Sequence, residues 1–313
     1  MNLEHLKRKR KIVNTGFDNT NQNAGRILNK DGRTNVIKSG IPFFKRYSTF
    51  HALLDMSWGK FLILVFVAFF LINALFAAIY YWLGTDYIGA GHNLTAFEKY
   101  LEAFFFSAQT ISSVGYGRLN PLGIGEGLVS SIEAFIGLLL FAVLTGLVYA
   151  RYSKPQAFML FSKVALIAPF KEGNAFMFRI ATYKYNSLTE LEVEVVVSMQ
   201  IENDGKVNTQ FFPMKLEFAK VTTLALNWTI VHMIDEESPI YGFDKENFEK
   251  NKVEVIVFFK AFDEHFSNVV KEKSSYIHDE IIMNAKFKPM FRKSENGMHT
   301  ILELDKIDDY QLL

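Results

Sequence analysis

Between two long apolar stretches the chain carries Thr110-Ile111-Ser112-Ser113-Val114-Gly115-Tyr116-Gly117. Gly115 and Gly117 can take left-handed backbone angles at low steric cost. Alternated with Val114 and Tyr116, they let successive carbonyls point the same way. Rings of such carbonyls can replace the water shell of a dehydrated potassium ion. Ser113 would add a ring of hydroxyls at the inner end. The expected ligands of K+ are therefore oxygens of Ser113, Val114, Gly115 and Tyr116, with Gly117 completing the geometry. No bond is made or broken in such a process, so no catalytic residue and no cofactor other than the permeant ion is assigned.

A loop of this kind needs elements to hold it. Thr95-Ala96-Phe97-Glu98 has the spacing of a capping box, which starts a short helix through Phe104, Phe105 and Phe106 to Thr110. Its C-terminal end carries partial negative charge, which favours a cation beyond it. On either side, Phe61–Leu83 contains no charge and Asn73 as its one strongly polar residue, and Gly127–Ala150 contains only Glu133. Each reaches the ~20 residues needed to cross ~30 Å of hydrocarbon. Non-helical backbone at that depth survives only inside protein or against water. One copy cannot complete a carbonyl ring, whereas four around an axis can, so a homotetramer is expected.

On the second span Gly137, Phe141, Thr145 and Tyr149 step by four residues, a stripe that drifts ~40° per step. It reads either as a pore-lining face, with Gly137 a flexible point and Phe141 and Tyr149 constrictions, or as lipid-facing packing. Periodicity does not separate the two.

Composition narrows the classes. Of 313 residues half are hydrophobic and 31 are Phe, net charge is +1, and cysteine is absent. Nothing suggests a nucleic-acid footprint, a disulfide framework or a thiolate metal site. The seven histidines are scattered, without zinc-ligand spacing. Gly123-Ile124-Gly125-Glu126-Gly127 follows no strand and reads as a turn rather than a nucleotide site. No small-molecule substrate is indicated. Asn93-Leu94-Thr95 is a glycosylation sequon, but Thr95 already has a capping role. About sixty residues precede the first span, which argues against a cleavable signal peptide. Lys7, Arg8, Lys9, Arg10, Lys11, Lys45 and Arg46 lie before the first span, and Arg151, Lys154 and Lys163 follow the second. Only Lys99 and Arg118 lie between, so the positive-inside rule places both termini in the cytoplasm.

The expected organisation has four parts. Residues 1–41 form a cytoplasmic N-terminal segment, its first 25 residues basic and then polar. Residues 42–57 form an amphipathic interfacial helix, with Phe43, Phe44, Tyr47, Phe50 and Leu54 on one side and Lys45, Arg46 and Asp55 between them. Residues 58–152 form an α-helical two-span membrane domain of outer helix, pore helix with filter loop, and inner helix. Residues 153–313 hold short β-branched and aromatic runs at Phe158–Ile167, Ala175–Thr182, Leu191–Ile201, Thr229–Ile234, Val253–Phe262 and Ile301–Leu304. That pattern predicts an immunoglobulin-like antiparallel β-sandwich on the cytoplasmic side.

Further stretches carry a resemblance. Asn29-Lys30-Asp31-Gly32-Arg33-Thr34-Asn35-Val36, the helix exit Leu147–Pro155, Phe161–Ala165 with Met177-Phe178-Arg179, Trp228–Gly242, and Ser274-Ser275-Tyr276 with Asp279-Glu280 occur in order. Together with the filter they resemble the inward-rectifier potassium channels, most closely their bacterial branch, from about residue 26 to the end. The resemblance implies potassium-selective passive transport through a homotetramer in the plasma membrane, for a bacterium the inner membrane. It implies that Tyr149 is a bundle-crossing gate, that Phe141 replaces the carboxylate of strong rectifiers, and that Glu190 lines the cytoplasmic pore. A second constriction would lie near Phe262–Val270, a stretch without glycine. Lys45, Arg46, Lys60, Arg151 and Lys154 would meet the lipid boundary, with anionic or phosphoinositide lipids as partners.

Departures are equally specific. Ser113 stands where threonine is usual, and Gln109 where bacterial relatives often carry glutamate. Arg118 follows the filter and would place four positive charges at the outer mouth, lowering conductance. Phe141 and Lys260 lack the acids that hold polyamines, so weak rectification is expected. Relatives respond to phosphatidylinositol bisphosphate with opposite signs, and the sparse Ser153-Lys154-Pro155-Gln156 fixes neither. The alternatives are a weakly selective cation channel and a membrane-anchored β-sandwich that binds a partner; an enzyme would lack a visible site.

Overall fold

The computed structural model describes residues 26–42, 48–90, 93–185, 187–203 and 206–313, and the chain divides into two compact units. One unit comprises Ser39–Lys154; the other combines the segment up to Lys38 with Pro155–Leu313.

The first unit is helical. Helix α1 (Thr49–Asp55) begins at Ser48, whose hydroxyl accepts the His51 amide, and ends because Met56 and Ser57 are extended. Residues 43–47, including Lys45 and Arg46, lie outside the described residues. Helix α2 (Trp58–Leu83) and helix α4 (Ile124–Tyr152) are long and apolar enough to cross a membrane. Between them lies the shorter helix α3 (Ala96–Ile111), which carries the full reciprocal capping box of Thr95 and Glu98. Such a cap contributes about 1 kcal/mol. Phe76, Ala77 and Tyr80 of α2 pack with Ala103 and Phe106 of α3 and with Leu119. Leu62, Ile63, Phe66 and Leu71 of α2 and Leu138, Leu139 and Val143 of α4 stay exposed. Helices apolar all round, with so little of their surface covered by the chain itself, suit lipid or further protein rather than water.

Among the described residues the second unit is all β apart from the short helix α5 (Lys245–Lys250) and two 3-10 turns. One sheet contains β1 (Met159–Phe161), β2 (Ala165–Phe170), β3 (Gly173–Thr182), β7 (Asn227–Ile234) and β10 (Ile281–Met283). Strand β3 pairs antiparallel with β7 on one edge and with β2 and β1 in succession on the other. The other sheet contains β4 (Leu188–Asn203), β5 (Lys206–Met214), β6 (Lys220–Thr223), β8 (Glu254–Asp263) and β9 (Asn268–Ile277), in the order β5-β4-β8-β9, with β6 on the first half of β4. The alternation of Trp228, Ile230 and His232 inward along β7 is the period-2 pattern of a strand with one buried face. Phe176, Phe178 and Ile180 meet Val193, Val195, Val197, Val255, Val257 and Phe259 across the sandwich. All strand pairs in the two sheets are antiparallel except β10 with β2. This parallel pair follows from the short C-terminal stretch after β9, which leaves the second sheet and returns beside the first. There β11 (Ala285–Phe287) pairs with β14 (Tyr310–Leu312), and β12 (Phe291–Lys293) with β13 (Thr300–Leu302).

Candidate functional site

The loop that follows α3 has positive φ at Ser113, Gly115 and Gly117 (58°, 56° and 82°), with Val114 and Tyr116 between them on the ordinary side. This alternation is what turns successive peptide planes to a common direction. For the glycines it is cheap. For Ser113, a side chain in the left-handed region costs energy that the surroundings must offset, a cost that no motif in the sequence signals.

Gln109 organises the loop from behind. Its carbonyl accepts the amides of Val114 (3.0 Å) and Gly115 (3.3 Å), and its side-chain Oε1 accepts the Tyr116 amide at 3.1 Å. Its Nε2 reaches the Leu119 carbonyl at 3.4 Å. The loop N–H groups are thus consumed on one side. No hydrogen bond reaches the carbonyls of Ser113–Gly117 among the described residues, so those oxygens remain available as acceptors. Beyond the loop Arg118 pairs with Glu102 of α3, so the charge expected bare at this position has a carboxylate partner.

A second polar cluster lies deeper in the helical unit, where the sequence showed only isolated exceptions to apolarity. Tyr80 donates to Glu133 Oε2 at 2.7 Å, Ser107 contacts Glu133 Oε1, and Ser107 also meets Asn73 Oδ1 at 2.9 Å. Asn73 Nδ2 donates to the Phe69 carbonyl at 2.7 Å. Glu133, Ser107 and Asn73 are fully buried. The signal was present in the sequence: an ionisable or amide group within a span is expensive and needs a named partner.

On α4 the four-residue stripe is not uniform. Gly137 is buried against the end of α3, where an added Cβ would lie 2.2 Å from the Ile111 carbonyl oxygen. The position therefore requires glycine for close approach. Phe141, Thr145 and Tyr149 are exposed in the single chain, with Phe141 and Tyr149 each at 72%.

The basic residues expected at the lipid boundary divide in the same way. Lys60 is exposed in the first turn of α2. Arg151 instead donates to the Leu53, Leu54 and Met56 carbonyls at the end of α1, with its guanidinium over Trp58 and Phe61 at 4.6 Å. Lys154 pairs with Asp55 at 2.6 Å.

In the β unit Glu190 has φ 51° at the bulge of β4, beside Glu192, Lys220 and Lys260 in an open cavity of about 610 Å³. Lys220 lies 2.9 Å from Glu192 and its hydrogen bond holds that carboxyl below the usual carboxylate range. The segment before Lys38 docks on the same unit. Glu254 accepts the Ile27 and Leu28 amides at 2.6 and 3.0 Å, and Arg26 forms a two-pronged pair with Glu280 at 3.0 and 3.1 Å.

Two membrane-length helices around a half-length helix whose following loop keeps its carbonyls unbonded define a subunit of a two-span ion channel. Residues 67–154 match the family description "Ion channel", and residues 159–310 match "Inward rectifier potassium channel C-terminal domain". Inward rectifier potassium channel Kirbac3.1 of Paramagnetospirillum magnetotacticum is 33% identical over 91% of this chain and 95% of its own length. The human G protein-activated inward rectifier potassium channel 2 is 24% identical over 91% of this chain and 72% of its own. The chain belongs to the inward rectifier potassium channel family.

Proposed function

We propose that this protein is a potassium-selective, passive, homotetrameric channel in which Ser113, Val114, Gly115 and Tyr116 coordinate K+ and Gly117 closes the filter. The observation that carries the reading is the loop whose amides are tied to Gln109 while its carbonyls are unbonded. Four such loops around an axis supply oxygen rings that exchange for the ion's hydration shell. Tetramerisation also covers Val114 and Tyr116, which a single chain leaves exposed.

Phe141, Thr145 and Tyr149 then face the permeation path, with Tyr149 as the constriction nearest the C-terminal end of α4. Glu190 lines the cytoplasmic part of the pore, and beside it the pairing of Lys220 and Lys260 with Glu192 dilutes negative charge. With Phe141 in place of an acid, rectification is weak. Both termini lie in the cytoplasm by the distribution of basic residues, and the two spans cross the plasma membrane, the inner membrane for a bacterial host. Anionic lipids act through Lys60 and the basic approach to α1, including Lys45 and Arg46, each cation near such a leaflet contributing ~1 kcal/mol. Arg151 and Lys154 act through α1, to which they are bonded.

The test is rubidium uptake into potassium-loaded liposomes containing the purified protein. Barium-sensitive uptake that sodium loading does not support is expected. Equal flux with sodium favours a weakly selective cation channel, a reading that the strained Ser113 keeps open.

A further inference from the structure

Glu133 belongs to none of the parts named so far: it faces neither the carbonyl side of the loop nor solvent, and it is fully buried. Its two oxygens meet hydroxyls from two other helices, Tyr80 of α2 and Ser107 of α3. Ser107 lies two residues before Gln109, the residue to which the loop amides are tied. One turn further along both helices, Gly137 of α4 sits against the Ile111 backbone. The pairs 107/111 and 133/137 are each spaced by four residues and face one another. Helix α3 is thus held to α4 at two successive rungs, one polar and one a backbone contact, immediately before the loop begins.

We propose that Glu133 is a positioning residue that fixes the selectivity loop from behind, through Ser107 and the helix turn carrying Gln109. This rests on the channel reading above. The carboxyl works as a hydrogen-bonding bridge between two hydroxyls. Glutamine can replace it, accepting from Tyr80 and donating to Ser107, whereas alanine leaves the buried Tyr80 hydroxyl without this partner and Ser107 held to Asn73 alone, with its link to α4 gone. The apolar cluster of Phe76, Ala77, Ala103 and Phe106, with Val129 and Ile136 of α4 packed against it, keeps the three helices together in either variant. The lesion is therefore one of register rather than of assembly.

The experiment compares wild type, Glu133→Ala, Ser107→Ala and Glu133→Gln in liposomes, by rubidium-to-sodium uptake ratio and by amide hydrogen exchange of the 113–117 segment. Helix content and oligomeric size are checked for each. Both alanine variants are expected to lower the uptake ratio about tenfold and to speed exchange in 113–117, with Glu133→Gln restoring both towards wild type. Exchange in 113–117 unchanged by Glu133→Ala, or Glu133→Gln behaving like Glu133→Ala, overturns the proposal. A non-selective wild type refutes the potassium reading instead, and the exchange comparison, which needs no conduction, still decides the role of Glu133.

Discussion

Gln109 and Tyr116 are joined by a 3.1 Å bond from the Tyr116 amide to the Gln109 side chain, across the turn where α3 gives way to the loop. The same residue's carbonyl takes the two preceding loop amides. One residue at the end of a half-length helix therefore ties down the peptide planes to which the proposed ion coordination is assigned. A carboxylate is not required for that task, since only acceptor oxygens are used towards Tyr116.

Gln109→Ala removes the acceptor for Tyr116. The net value of such a bond is about 1 kcal/mol, so potassium-over-sodium discrimination should fall about fivefold. Gln109→Glu keeps the acceptor and should retain most of it. Reversal potentials under bi-ionic conditions measure the ratio, and equal selectivity in wild type and the alanine variant would disprove the link.

The pairing of Arg118 with Glu102 changes what a mutation at the outer mouth should do. Freeing the guanidinium with Glu102→Gln leaves an uncompensated positive charge on every subunit. Single-channel current at about 20 mM salt should drop roughly twofold and recover at about 0.5 M, where charges are screened within a few ångströms. A drop that persists at high salt points to altered structure rather than electrostatics.

Arg151 caps the C-terminal carbonyls of α1 with a planar fork while stacking on two aromatic rings. Lysine offers neither the fork nor the stacking. Arg151→Lys should therefore accelerate hydrogen exchange in residues 49–56 about tenfold, equivalent to ~1.4 kcal/mol of lost anchoring. If Arg151 served chiefly as a lipid-headgroup charge, the lysine variant would exchange like wild type.

Lys30 sits over the Tyr276 ring at 3.7 Å and 3.3 Å from Glu280, and burial pushes its pKa from 10.5 down to about 8 despite that carboxylate. The unfolded chain thus binds one more proton than the folded chain between pH about 8 and the ordinary lysine value. Stability contributed here rises with pH through that window and is flat below it. Thermal unfolding of wild type and Lys30→Met, compared from pH 7 to pH 10, should show wild type gaining on the variant only above about pH 8. A pH-independent difference would rule the titration out.

The sequence by itself determined the glycine alternation of the loop, both spans, the capped half-helix between them and the β texture of the last half. Each of these is local: glycine alternation, unbroken apolarity, the Thr95–Glu98 spacing and period-2 patterning act between neighbours in the chain. It also marked Asn73 and Glu133 as misfits without saying what they meet. Only the tertiary structure decided that these two converge on Ser107 and Tyr80, and that Gly137 answers to the Ile111 backbone. It alone showed that Arg151 is taken up by α1 and that Arg118 is paired. Residues far apart in sequence have no periodicity linking them. Their pairing is set by how helices and strands pack, because a buried polar group must find whichever partner the packing brings within reach.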